Sequence, residues 1–256
     1  MRADGIKDDA LECLGACRGE TEVVPGVFVT RRLFLSAAAF TAVSSLLSPT
    51  KAVAASPVTQ ALSWDEFLAE AVPLAQQLLK ESPADFDHYL YRVAALALRL
   101  RAAPATKLYP LGVGAGVSLA PSYKGPPFAV IQWRMEPDAV FPAHNHPNYS
   151  VCTVGLEGEA RIRNYEVVGD APAFSSRQTF RVRQTHDEII AAGRANTLSP
   201  ARDNIHCFEA GPRGARGVDI TTLHGADVGF SFIELGDKPA DAAQRIYEAV
   251  WKNTGR

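Results

Sequence analysis

His144 and His146 stand two apart in the run Phe141-Pro-Ala-His-Asn-His-Pro-Asn-Tyr149. Side chains on an extended strand alternate between its faces, so two imidazoles at this spacing point the same way and can bind one metal ion. Pro142 and Pro147 bracket the pair and hold the backbone extended on both sides. Imidazole serves zinc, copper, iron and nickel alike, so the pair by itself names no metal and needs a third ligand.

The rest of the chain must supply the strands that carry such a pair. The sequence has 256 residues and a net charge of −2, which leaves no basic footprint for nucleic acid. Near the N-terminus, Thr30-Arg-Arg-Leu-Phe-Leu35, an apolar stretch over 36–47 and Ala52-Val53-Ala54 follow one another in the order of a twin-arginine export signal. The apolar stretch is short for a membrane span. Residues 1–54 are therefore expected to be a leader read by the twin-arginine export machinery and cleaved after Ala54, leaving a periplasmic or secreted protein. Of the four cysteines, Cys152 and Cys207 survive that cleavage.

Residues 55–102 read as a helical segment. Ser63-Trp-Asp-Glu66 is a capping box, and the apolar pattern after it predicts a helix to about Lys80, kinked or split at Pro73. A second helix starts at Ser82-Pro83 and runs to about Arg101, burying Phe86, Leu90, Val93, Leu96, Ala97 and Leu100. Residues 102–127, rich in Pro, Gly and Ala, read as loops. From Phe128 the period changes to two, predicting strands over 128–135, 150–156, 159–166, 179–182, 188–191, 205–210, 218–223 and 229–235. A helix over 240–252 is expected to close the chain. Residues 103–256 would thus form a mainly β barrel or sandwich with a C-terminal helix.

One small barrel places His-x-His inside: the cupin, a double-stranded β-helix of the jelly-roll type. The run Gly155-Leu-Glu-Gly-Glu-Ala-Arg-Ile-Arg163 has the form of the turn and strand that follow the first metal motif of that fold. A third histidine belongs on a strand near the other end of the barrel, and His206, in Asp203-Asn-Ile-His-Cys-Phe-Glu-Ala210, fits. Alternation turns Ile205 and Cys207 away from it. Where many such sites add a glutamate, this chain has Ser150 and Val151. Three neutral imidazoles leave positions open on the ion and keep its positive charge, which favours an anionic ligand such as a thiolate.

The run Pro142-Ala-His-Asn-His-Pro-Asn-Tyr-Ser-Val151 resembles the metal motif of the plant cysteine oxidase and 2-aminoethanethiol dioxygenase family. Arg163-Asn-Tyr165-Glu, Asn204-Ile-His-Cys-Phe208 and Gly217-Val-Asp219-Ile are similar to further segments of that family, in order and correctly spaced from Phe128 to Leu223. The resemblance implies Fe(II) held by His144, His146 and His206, with Asp219 near the site orienting substrate or ligand. It implies addition of both atoms of dioxygen to a thiol, giving a sulfinate. Two departures, Asn148-Tyr-Ser150 and Thr222-Leu-His-Gly225, fall where the family shapes its substrate pocket, and they favour a small thiol such as cysteine or cysteamine. The alternatives are another metal-dependent cupin enzyme and a non-catalytic exported cupin that binds a ligand.

Further candidates for the pocket are Tyr149, Cys152, Tyr165 and His224. Cys152 is expected to continue the inward alternation of the histidine pair. Arg134, Arg161 and Arg163 are candidates to receive a substrate carboxylate, or else exterior residues. His186, in a polar stretch, is expected to be solvated, and His88 lies in the second helix.

Overall fold

The computed structural model describes residues 60–225 and 229–252; the leader and the twin-arginine motif lie outside the described residues. Two helices come first, α1 (Trp64–Leu78) and α2 (Phe86–Ala97). Ser63 caps α1: its Oγ accepts the Glu66 N–H, and the Glu66 carboxylate accepts the Ser63 N–H at 2.8 Å, so two end donors are satisfied reciprocally. Helix α1 is continuous through Pro73 rather than split. Pro73 lies on the exposed side, and so does Ala69, whose carbonyl loses its partner and can turn to water. Asp85 caps α2 by accepting the His88 N–H at 2.9 Å.

Ten strands follow: β1 (Tyr109–Pro110), β2 (Val117–Gly125), β3 (Phe128–Met135), β4 (Val140–Asn145), β5 (Tyr149–Val168), β6 (Phe180–Ala191), β7 (Ala195–Leu198), β8 (Ile205–Leu223), β9 (Phe232–Leu235) and β10 (Ile246–Lys252). They form a closed antiparallel barrel. The hydrogen-bonded order β1-β2-β3-β8-β4-β9-β10-β6-β5-β7 is joined into a ring by a further pairing of β8 with β5. Two long strands make the closure possible. The first half of β8 pairs with β4 and with the second half of β5; the second half of β8 pairs with β3 and with the first half of β5. Both strands bend where they cross. Gly158 and Gly214 are left-handed there, and a Cβ on either would collide with a backbone carbonyl, of Gly214 and Met135 respectively.

Three packed layers result. Phe141, Ile162, Ile190, Phe208 and Phe232 fill the interior beside the histidines. Cys152, Val154, Val218 and Ile220 face outward and are covered by Phe67, Leu78, Leu90 and Val93 of the helices. Ala143, Tyr165, Phe180, Ile205, Cys207, Ile233 and Trp251 form a third cluster, drawn from all six strands of the ring. Among the described residues no helix is long and apolar enough to cross a membrane.

The mainly β reading with two leading helices holds, with differences that have physical causes. The pairs of short strands expected over 150–166, 179–191 and 205–223 are single bent strands, because bulges and left-handed glycines turn the chain without breaking its pairing. Strand β2 lies within the stretch read as loop: its Pro and Gly residues sit beside a register shift and at its end. The closing helix expected over 240–252 is absent; Arg245 is left-handed, at φ 53°, and the chain then enters β10. Pairing with β6 and β9 buries Ile246 and places Ala249 and Trp251 in the ring's cluster, which an exposed terminal helix could not do.

Trp251 anchors that closure. Its ring stacks on Phe180 at 4.7 Å and its Nε1 donates to the Pro172 carbonyl at 2.8 Å. Trp251→Ala is expected to destabilise the protein by about 3–5 kcal/mol in urea unfolding. A loss below about 1 kcal/mol would mean that β10 is peripheral to the barrel.

A candidate metal centre

Strand β4 carries His144, His146 follows directly after its end, and β8 carries His206. In the antiparallel register His144 stands opposite His206. His146 lies just beyond β4, and its N–H donates to the Asn204 carbonyl at 2.8 Å, which ties it to the segment leading into β8. The three rings meet through their Nε2 atoms: His146 to His206 at 2.9 Å and His206 to His144 at 3.0 Å. All three are buried. They are also a group whose donor atoms could hold one metal ion.

The chemistry of this cluster fits a cation. Burial lowers the pKa of each ring, that of His144 to about 4 and those of His146 and His206 well below the ordinary value, so all three are neutral. Nδ1 of His144 donates to the Pro142 carbonyl at 2.8 Å, so its Nε2 presents a lone pair. One N–H can then serve only one of the two Nε2 contacts. At least one pair of lone pairs is left facing in a buried space, a repulsion that a cation would convert into bonds. The two contacts made by His206 agree in spacing: two nitrogens about 2.1 Å from one ion lie about 3.0 Å apart at a right angle and about 3.4 Å apart at a tetrahedral one.

Aromatic groups wall the cluster. Phe141 stacks on His144 at 4.5 Å, Phe208 meets His206 edge-on at 4.6 Å, and Tyr149 meets His146 edge-on at 4.6 Å. Trp133 packs on the far side of Phe208, at 5.6 Å. Its Nε1 donates to Oδ1 of Asp219 at 3.2 Å, and Thr153 Oγ1 donates to the same oxygen at 2.7 Å. Both of these hydrogen bonds fall on Oδ1 and leave Oδ2 out. Burial raises the Asp219 pKa to about 6, against the lowering effect of the two donors.

The expected residues divide between the faces of the barrel. His144, His146, His206 and Tyr149 are in mutual contact, and Asp219 joins them through Trp133 and Phe208. Cys152 is not part of the lining. The Pro147–Asn148 link resets the alternation, so Tyr149, Val151 and Thr153 turn inward and Cys152 turns under the helices, where burial pushes its thiol pKa up. Tyr165 also faces away: Ala160 and Ile162 of β5 point inward, so alternation places Tyr165 in the ring's cluster, beside Cys207 and edge-on to Tyr247. His224 turns to Ser150 Oγ at 2.7 Å and to Phe86 of α2 at 4.8 Å, half-buried and with its pKa lowered by burial to about 4. Arg161 is paired with Asp187, Arg163 with Glu209 and Arg134 with Glu136. His186 is half-buried with Nδ1 3.4 Å from Asp203 rather than solvated. The aromatic wall and Thr153 carried no signal in the sequence, because Phe, Trp and Thr in strands ordinarily mark core.

The family model PCO_ADO matches residues 115–222. Plant cysteine oxidase 2 of Arabidopsis thaliana is 32% identical over 84 residues, which cover 32% of this chain and 30% of that protein. The chain thus aligns with less than a third of that relative. Among solved structures, KdgF from Halomonas sp. has a TM-score of 0.34 at 13% identity, covering 46% of this chain and 88% of its own. The cupin domain of Schizosaccharomyces pombe Cnp3 has a TM-score of 0.34 at 14% identity, covering 48% and 72%.

Proposed function

We propose that this chain is an iron(II)-dependent dioxygenase of small aminothiols, acting by R–SH + O2 → R–SO2⁻ + H⁺. The observation that carries the reading is the convergence of three neutral, buried imidazoles with no carboxylate in the group. Such a ligand set leaves the charge of a divalent ion uncompensated, which favours an anionic ligand and lowers a thiol's pKa. Iron(II) held there would deprotonate the thiol and activate dioxygen beside it. The match to PCO_ADO and the likeness to a plant cysteine oxidase support the same chemistry.

The chain's own residues then do three things. Phe141, Phe208 and Tyr149 keep water from the ligand face and hold the rings in position. Asp219 offers Oδ2 to a substrate ammonium while Thr153 and Trp133 fix its other oxygen. The three arginines once available for a substrate carboxylate are committed to Asp187, Glu209 and Glu136. Among the described residues, no Lys or Arg charge bears on the three imidazoles or on Asp219. A thiol with an amine and no free carboxylate therefore suits the site better than cysteine. 2-Aminoethanethiol is the simplest such molecule.

Iron(II)-reconstituted protein should consume oxygen with 2-aminoethanethiol and release its sulfinate, detected by mass spectrometry. Cysteine and 3-mercaptopropionate should be turned over at least about tenfold less efficiently, for want of a partner for their carboxylates. Preference for either acid would refute the substrate class, and no oxygen uptake with any of the three would refute the activity.

The pH dependence follows from Asp219. Its pKa is about 6 in the fold against an ordinary 3.8, so folding disfavours the charged form, and pairing with an ammonium is lost as pH falls through about 6. The kcat/KM profile for 2-aminoethanethiol should have an acid limb near pH 6 that Asp219→Asn removes. Persistence of the limb in that variant would assign it to another group.

A further inference from the structure

Histidines that bind metals ordinarily donate their second ring N–H to an oxygen that fixes the ring. Here His144 does so, through the Pro142 carbonyl, but Nδ1 of His146 and Nδ1 of His206 have no hydrogen-bond partner. The aim of those two rings must come from packing and from where their backbone is held. His206 is paired in β8 with β4 and β5, and the segment that leads into it and also holds His146 is the turn from β7 into β8. Ser199 and Arg202 close that turn by exchanging hydrogen bonds of 2.8 and 3.1 Å. Asn204 then accepts the His146 N–H, and two residues later comes His206.

This connection is built around an ion pair between the half-buried Arg202 and the buried Asp203. Asp203 is 1% exposed and left-handed at φ 57°, an uncommon conformation for a residue with a Cβ, though one that Asp adopts more readily than most. Its carboxylate accepts from Arg202 and lies 3.4 Å from His186 Nδ1, and its N–H donates to Glu166 Oε1 at 3.3 Å. The Arg202 guanidinium reaches further. It donates to the Thr197 carbonyl at 3.4 Å, to Thr197 Oγ1 at 3.2 Å and, through Nε, to Asp87 of α2 at 3.0 Å. One planar fork thus ties together β7, the turn and a helix, which a lysine's single ammonium cannot do.

A left-handed, buried, charged residue three positions before a metal ligand is costly unless it holds something in place. We propose that Arg202 and Asp203 are positioning residues for the metal centre: their ion pair fixes the β7–β8 connection and, through it, the convergence of His206 and His146. The inference rests on reading the three histidines as a metal site. A ligand set must be held to within about 0.5 Å of its working geometry, and two of these three rings have no other polar anchor.

The test uses the full chain and cobalt(II). Affinity by chelator competition, the visible spectrum of the cobalt-loaded protein and the thermal midpoint of the metal-free protein are measured for wild type and variants. Arg202→Gln and Asp203→Asn are expected to bind cobalt(II) about 10–100-fold more weakly, with an altered spectrum at saturation. Arg202→Lys should not rescue either property. Asp203→Gly relieves the left-handed backbone, so it should fold even where Asp203→Asn does not, and it should still bind weakly. Asp87→Asn cuts only the exposed end of the network and should stay within about twofold of wild type. Wild-type affinity and spectrum in the Arg202 and Asp203 variants, whatever happens to the thermal midpoint, would overturn the proposal as a purely structural pair. A wild-type protein that binds no cobalt(II) would instead overturn the three-histidine reading, and this inference with it.

Discussion

The antiparallel register that sets His144 opposite His206 is the constraint on which the rest of the structure hangs. A slip of one residue in β4 would carry His144, and His146 just past its end, to the other face, since side chains alternate with a period of two. Slippage is resisted because β8 is not an edge strand. It is gripped by β4 on one side and β5 on the other, then by β3 along its second half. Closure of the ring through β9 and β10 finishes the job: β9 meets β4 at His144 itself, through Phe232. The barrel is thus the device that turns two separated sequence segments into one ligand set.

Burial is what gives that set its chemistry. In water the same three imidazoles would titrate near neutrality; inside the barrel they are held neutral, with their lone pairs directed at one another. The walls are aromatic, and the nearby charged side chains at Arg161, Arg163 and Arg216 are paired on the exterior. Asp219 is the exception, a carboxyl inside the same core whose own pKa shows the cost of being there. With a divalent ion at the imidazoles, as proposed, and a single carboxylate a side-chain layer away, the site would be dipolar in the sense the proposed aminothiol needs, a potential anion and a cation on neighbouring carbons.

Much of this was legible in the sequence, for identifiable reasons. His-x-His between prolines, and His206 between Ile205 and Cys207, are patterns set by strand geometry, which the structure keeps. The capping box at Ser63 is equally local. What could not be read was phase and continuity. Cys152 was expected to follow the inward alternation of the histidines, but the Pro147–Asn148 link resets it and puts the thiol under the helices. Tyr165 faces outward because register shifts between Gly155 and Ala160 reset the phase of β5 ahead of it. The segment 240–252 has a composition that suits a helix, and only the vacancy between β6 and β9, a tertiary fact, makes it a strand. Arg202 and Asp203 read as an ordinary charged turn, because the burial that makes them notable depends on α2 and on Glu166 arriving from elsewhere.

The central claim is that three imidazoles hold one iron whose remaining positions accept a thiol. Iron K-edge X-ray absorption on the anaerobic iron(II)-loaded protein, with and without 2-aminoethanethiol, addresses it directly. The account predicts multiple scattering from three imidazoles in the resting protein and a new sulfur scatterer once the thiol is added. Fewer than three imidazoles, or no sulfur at saturating thiol, would contradict it.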